Sequence, residues 1–146
     1  MLHRRAVAFL IVATLAAAPA AASQSPPAPK PKKPSITLRA TPAMSFSPAR
    51  IAFVAELRGG SDDYPDFYCA TVEWDWGDGT RSEASTDCDP YERGTSEIKR
   101  RFATEHRFET AGEYRVLFRL KQNNKVVGSG NTTVRIRPGA HDFGGF

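Results

Sequence analysis

The chain has 146 residues, 40% hydrophobic and 25% charged, with two cysteines and a formal net charge of +4. That length supports one small core and excludes a second. Without Arg4 and Arg5, eighteen basic side chains face sixteen acidic ones; without Lys30, Lys32 and Lys33 as well, fifteen face sixteen, so the basicity belongs to the leading segment and gives no argument for nucleic-acid binding.

In chain order, Arg4 and Arg5 precede a 13-residue apolar stretch, Ala6 to Ala18. Ala20-Ala21-Ala22 offers a small-residue cleavage site before Ser23, with Ala18-Pro19-Ala20 as a second. Residues 1–22 are therefore expected to be a signal peptide. The stretch falls short of the roughly 20 residues that span a bilayer, so no transmembrane segment is expected after cleavage. Residues 23–34 (SQSPPAPKPKKP) form a Pro- and Lys-rich linker without apolar side chains to bury. The domain proper is expected over 35–137, and 138–146 (PGAHDFGGF) is a Gly-rich tail.

Short alternating runs divide the domain. Ile36, Leu38 and Ala40 share one face of a first strand, and Ile51, Phe53, Ala55 and Leu57 one face of a second. Val72, Trp74 and Trp76 line a third, which runs into Gly77-Asp78-Gly79, a tight turn that needs φ > 0. Ile98 to Phe102 is a further, more polar strand near an edge. Tyr114, Val116, Phe118 and Leu120 alternate cleanly up to a hairpin turn at Asn123-Asn124, and Thr132, Val134 and Ile136 complete the last strand. No amphipathic helix is found, so the class is all-β.

The run Trp74-Asp75-Trp76-Gly77-Asp78-Gly79-Thr80 resembles the W-D-F-G-D-G-T signature of PKD (polycystic kidney disease) domains. His106-Arg107-Phe108, Gly112, Tyr114 and Val116 match that family's second motif, H-x-[YF]-x-x-x-G-x-Y-x-V. The two linked motifs stand in the right order, and the resemblance covers roughly Ile36 to Ile136. The resemblance implies an immunoglobulin-like antiparallel β-sandwich used for binding or spacing rather than catalysis. In such a sandwich Gly77 and Gly79 serve the turn, Asp75 and Asp78 cap backbone N–H groups, His106 satisfies a buried polar contact, and Tyr114 forms a tyrosine corner. Trp76 replaces the usual Phe, and the stretch Arg81 to Phe102 is longer than usual.

Cys69 and Cys88 are expected to pair in an exported chain. Hairpin arithmetic supports this independently: if Trp76 faces Thr80, opposed positions sum to about 156, and Cys69 faces Asp87, one residue from Cys88.

From Asp62 to Glu92 there are ten acidic side chains and one basic. Asp62, Asp63 and Asp66 precede the third strand, while Asp87 and Asp89 lie beside Cys88, so both groups should meet at one end of the sandwich. Clustered carboxylates are what Ca²⁺ takes, and these five are the candidate ligands, although their spacing matches no recognised calcium loop. Tyr64, Phe67, Tyr68 and Tyr91 accompany them and suit either a protein- or carbohydrate-binding surface or packing around the disulfide. Arg115, Arg119 and Lys121 share an outward face with Arg135 and Arg137, a basic stripe that suits either an anionic polysaccharide, lipid head group or acidic partner, with Arg115, Arg119 and Arg135 as candidate contacts, or simply a solvated face; Glu73 would partly neutralise it. No catalytic pattern occurs, and no enzyme is expected. The expectation is thus a secreted or periplasmic binding module for a protein or glycan surface in the envelope or outside the cell. It needs no cofactor unless calcium. The alternative is a structural or accessory subunit of a cell-envelope assembly.

Overall fold

The computed structural model describes residues 26–140. The expected signal peptide (1–22), the first residues of the expected linker (23–25) and the tail beyond Ala140 lie outside the described residues. Eight strands follow one another there: β1 (Ser35–Thr41), β2 (Met44–Phe46), β3 (Ala49–Arg58), β4 (Thr71–Asp75), β5 (Arg81–Ala84), β6 (Arg101–Phe108), β7 (Gly112–Gln122) and β8 (Lys125–Arg137), with a single 3-10 turn at Pro65–Phe67 before β4. They form a three-stranded sheet, β1-β3-β6, and a five-stranded sheet, β2-β8-β7-β4-β5.

The alternation that marks each strand in the sequence is the alternation that fills the core. Ile51, Phe53 and Ala55 of β3 are fully buried, as are Val116, Phe118 and Leu120 of β7. Phe53 reaches across the sandwich to Trp76, ring centroids 5.3 Å apart, and Trp74 meets Phe118 edge-on at 4.9 Å. Such aromatic pairs add roughly 0.5–1.5 kcal/mol each beyond area burial.

Three elements differ from the sequence reading. The strand expected at Ile98 begins at Arg101 and runs to Phe108. Ile98 is buried, but its N–H bonds the Asp62 carbonyl of the loop before β4 (2.8 Å), which takes it out of the ladder. β2 was not foreseen: its three residues, between Pro42 and Pro48, pair in parallel with β8, so the sandwich is not wholly antiparallel. Residues 29–34 are extended and mostly exposed, yet they contact the domain: the Lys32 N–H donates to Ser61 Oγ (2.8 Å), its carbonyl accepts from the Ser61 N–H (2.8 Å), and Arg93 reaches the Pro29 carbonyl (3.0 Å).

The two lateral sides of the sandwich are unlike. On one, the chain passes directly from β1 in one sheet to β2 in the other. On the opposite side β5 and β6 are both edge strands, and the gap between them stays open.

Candidate recognition surface at the disulfide end

The β4–β5 hairpin organises both ends of the molecule. At its turn, Gly77 (φ +75°) and Gly79 (φ +90°) take left-handed conformations. Asp75 Oδ1 accepts the Gly77 N–H (3.3 Å), and Asp78 Oδ1 accepts both the N–H and the hydroxyl of Thr80 (2.9 and 2.6 Å). His106 Nε2 lies 2.7 Å from Asp78 Oδ2 while its ring stacks on Trp76 at 4.3 Å. Burial works against ionisation of Asp78, but the hydrogen bonds from Thr80 and His106 outweigh it and hold the carboxyl below its ordinary value. The Tyr114 hydroxyl donates to the Thr110 carbonyl (2.8 Å), the expected corner. These motif residues build the fold and leave little free chemistry.

At the other end of the hairpin the register is Val72↔Ala84 and Glu73↔Glu83, the register that the turn predicts. Beyond Ala84 the strands part by one residue, and Cys69 bonds Cys88 across a Cα–Cα distance of 6.1 Å. The bridge draws the 62–68 loop and the 86–92 loop together. The Tyr68 hydroxyl donates to the Asp89 carbonyl (3.0 Å), the Tyr91 hydroxyl to the Asp63 carbonyl (2.7 Å), and the two rings meet edge-on at 5.6 Å. Gln122, at the end of β7, adds a bond from its Nε2 to the Tyr68 carbonyl (2.6 Å). Together Pro65, Asp66, Tyr68, Asp89, Tyr91 and Gln122 surround a shallow hollow of about 450 Å³ over the disulfide. Tyr64 stands apart from it. Its ring packs on buried Phe67 at 5.0 Å, and its hydroxyl donates to Asp66 (3.3 Å). Burial first, and the Asp66 carboxylate second, raise that phenol above its ordinary pKa.

The five candidate calcium ligands do not converge. Asp62 is paired with Arg100 (2.6 Å), Asp63 Oδ2 accepts the Gly94 N–H (3.0 Å), Asp66 takes the Tyr64 hydroxyl, and Asp87 and Asp89 are exposed. Among the described residues no group of three or more His, Cys, Asp or Glu side chains is placed to hold a metal ion. The loops are held by an arginine, backbone amides and tyrosines, and those partners direct the carboxylates away from a common centre.

The basic stripe is likewise largely consumed. On the outer face of the five-stranded sheet, Glu73 lies between Arg119 (2.5 Å) and Lys121 (2.9 Å). Lys121 also meets Glu83 (2.6 Å), and Asp75 joins Arg119 to Arg81 (3.4 and 3.2 Å). Lys121 and Arg119 hold Glu73 below its ordinary pKa, and the bonds to Glu73 raise that of Arg119. Arg135 pairs with Glu113 (2.9 Å), leaving Arg115 and Arg137 exposed without side-chain partners among the described residues. Glu73 neutralises part of the stripe, as the sequence leads one to expect, and pairing across strands adds Asp75, Glu83 and Glu113.

Sequence reasoning missed a second feature. Between the edges of β5 and β6 a cleft of about 410 Å³ opens toward the core, floored by Val72, Trp74 and Phe102 and walled by Ala84, Ala103 and Thr104. Its signal was negative, a long connection without alternation between two edge strands.

No family model matches the chain, and no curated protein does. Among solved structures it is similar to the PKD domain of an M14-like peptidase from a Thermoplasmatales archaeon, at 14% identity over 74% of this chain and 99% of that one, TM-score 0.49. It is also similar to a CARDB domain from Pyrococcus furiosus solved with di-metal ions (11% identity, 74% and 97% coverage, TM-score 0.45). A superoxide reductase from Ignicoccus hospitalis is a third (10% identity, 74% and 82% coverage, TM-score 0.40). Nothing those proteins bind or catalyse is carried over. By its two motifs this chain resembles PKD domains, and by its two sheets it is an all-β sandwich closed by one disulfide.

Proposed function

We propose that the protein is an exported, non-catalytic recognition module whose disulfide-tied end binds a glycan or protein surface. The observation that carries this is the hollow over Cys69–Cys88, where Tyr68 and Tyr91 stand beside the carboxylates of Asp66 and Asp89. Aromatic faces take up the apolar face of a sugar ring or a partner side chain, and carboxylates accept hydrogen bonds from hydroxyls and amides. The covalent bridge and the tyrosine hydroxyl bonds fix these groups before a ligand arrives, which lowers the entropic cost of binding. The hollow holds no nucleophile beside a base, and His106, the one histidine among the described residues, is engaged with Asp78 near the opposite turn. A disulfide fits an oxidising compartment, and no helix among the described residues is long and apolar enough to cross a membrane.

The test is binding of the purified exported protein to envelope polysaccharides and envelope proteins. Tyr68→Ala and Tyr91→Ala should each weaken a specific ligand about tenfold or more, as loss of a central aromatic contact does. Arg135→Ala, on the outer face of the sheet, should bind as the wild type does. Undiminished binding by folded Tyr68→Ala and Tyr91→Ala variants would refute the assignment.

A further inference from the structure

The open side of the sandwich carries the second inference, independent of the recognition surface. Among the described residues β6 pairs only with β3. The Leu57 N–H donates to the Arg100 carbonyl (2.8 Å), and the β3–β6 register continues from there through Ala55↔Phe102 and Phe53↔Thr104. In an antiparallel ladder every second residue points its N–H and C=O toward the same neighbour. Phe102, Thr104 and His106 therefore bond β3, and Arg101, Ala103, Glu105 and Arg107 turn their backbone groups to the free edge. The side chains of these four are exposed. An edge of this length, without proline or bulge, is a template for another strand.

The side chains say which strand. We infer that β6 pairs antiparallel with β6 of a second copy of this chain, about a two-fold axis through Ala103. In that register Ala103 faces Ala103 of the second copy, which permits close approach. Arg101 faces Glu105 of the second copy, and Glu105 faces its Arg101, so two opposite-charge pairs form at the distance where cross-strand neighbours interact. Neighbouring registers are worse. Sliding one step toward longer overlap sets Arg101 opposite Arg107, and sliding the other way cuts the paired β6 residues to Arg101, Phe102 and Ala103. The edge is thus self-complementary, as an isologous interface must be.

Two further observations agree. Among the described residues Arg101 and Glu105 are held only by pairs to Glu56 (2.9 Å) and Arg50 (3.3 Å), with Arg101 64% and Glu105 56% exposed. Such pairs exchange partners at little cost. The apolar cleft over Val72, Trp74 and Phe102 opens beside this same edge, and a second copy's β6 would cover its mouth.

The experiment is sedimentation velocity over a concentration series, using protein purified from an exporting bacterial host. The wild type should show a monomer–dimer equilibrium that weakens with added salt. Arg101→Glu and Glu105→Arg each oppose like charges and should weaken dimerisation about tenfold or more, and the double exchange R101E/E105R should restore it. Ala103→Pro removes one N–H from the free edge, a position where an edge strand tolerates proline, and should abolish the dimer with the far-UV spectrum unchanged. A wild type that stays monomeric throughout, single variants that dimerise like the wild type, or a double exchange that fails to restore the dimer would each overturn the assignment.

Discussion

Gly77 shows at one position why the turn motif has the composition it has. Its φ is +75°, and a Cβ there would lie 2.6 Å from the Arg115 carbonyl oxygen. Gly79, at φ +90°, has nothing within 4 Å. Gly79→Ala should cost about 1 kcal/mol, the strain of a left-handed conformation alone, whereas Gly77→Ala should cost more than about 2 kcal/mol because backbone must also move. Thermal denaturation of the two variants separates the effects, and equal losses would contradict this account. Asp78, one residue on, sets a pH dependence. Its carboxyl titrates below its ordinary 3.8, so the stability from its ionised form is complete above that value and drains away as pH falls through the lower folded value. Asp78→Asn keeps an oxygen for the Thr80 N–H but loses the charge facing His106. It should lower the melting temperature at neutral pH by a few degrees, roughly 1 kcal/mol, and flatten the decline of melting temperature in acid. A parallel decline in both proteins would show that Asp78 is not the titrating group.

At the scale of elements, the β4–β5 hairpin turns sequence into geometry with little freedom. Its turn fixes the register, the register brings Cys69 near Cys88, and the bridge gathers two loops. Replacing both cysteines by alanine should lower unfolding stability by roughly 3 kcal/mol in the chain-entropy model, for a sequence separation of 19 residues. Urea denaturation reads this directly; a loss below about 1 kcal/mol would mean that the loops stay ordered without the bridge, through the Tyr68 and Tyr91 hydroxyl bonds. The same hairpin shows what sequence can reveal. The inward faces of β3, β4 and β7 were legible because burial imposes a strict period of two. The disulfide followed from counting residues about a turn, and the caps at Asp75 and Asp78 from the chemistry of short polar side chains beside glycine. β2 was illegible because three residues are too few for a period, and its parallel partner β8 lies some ninety residues on. Glu73 beside the basic stripe was legible, but the partner of Asp62 and the second partner of Arg119, Asp75, were not: an ion pair depends on which strands are neighbours, and alternation reports only which side of a strand a residue takes.

At the scale of the whole molecule, the chain carries two surfaces that adjoin at Tyr68 and the Cys69–Cys88 bridge. The disulfide end carries the aromatic and acidic hollow, and the open lateral side carries the β6 edge. Tyr68 lines both the hollow and the cleft beside β6, whereas Tyr91 lines the hollow alone, so the Tyr91 variant tests one surface without touching the other. The charge asymmetry of the sequence largely cancels in space, because acidic residues of β4 and β5 lie beside basic residues of β7 in one continuous ladder. The core holds one more property of the molecule. The chain has two tryptophans, and both stand at the turn end of β4, with rings parallel to within 3° and centroids 5.5 Å apart. Indoles that close share their excited states. Near-ultraviolet dichroism should therefore carry the signature of a coupled pair, and tryptophan-selective fluorescence will report the interior beside His106, while Tyr64, Tyr68 and Tyr91 report the loops.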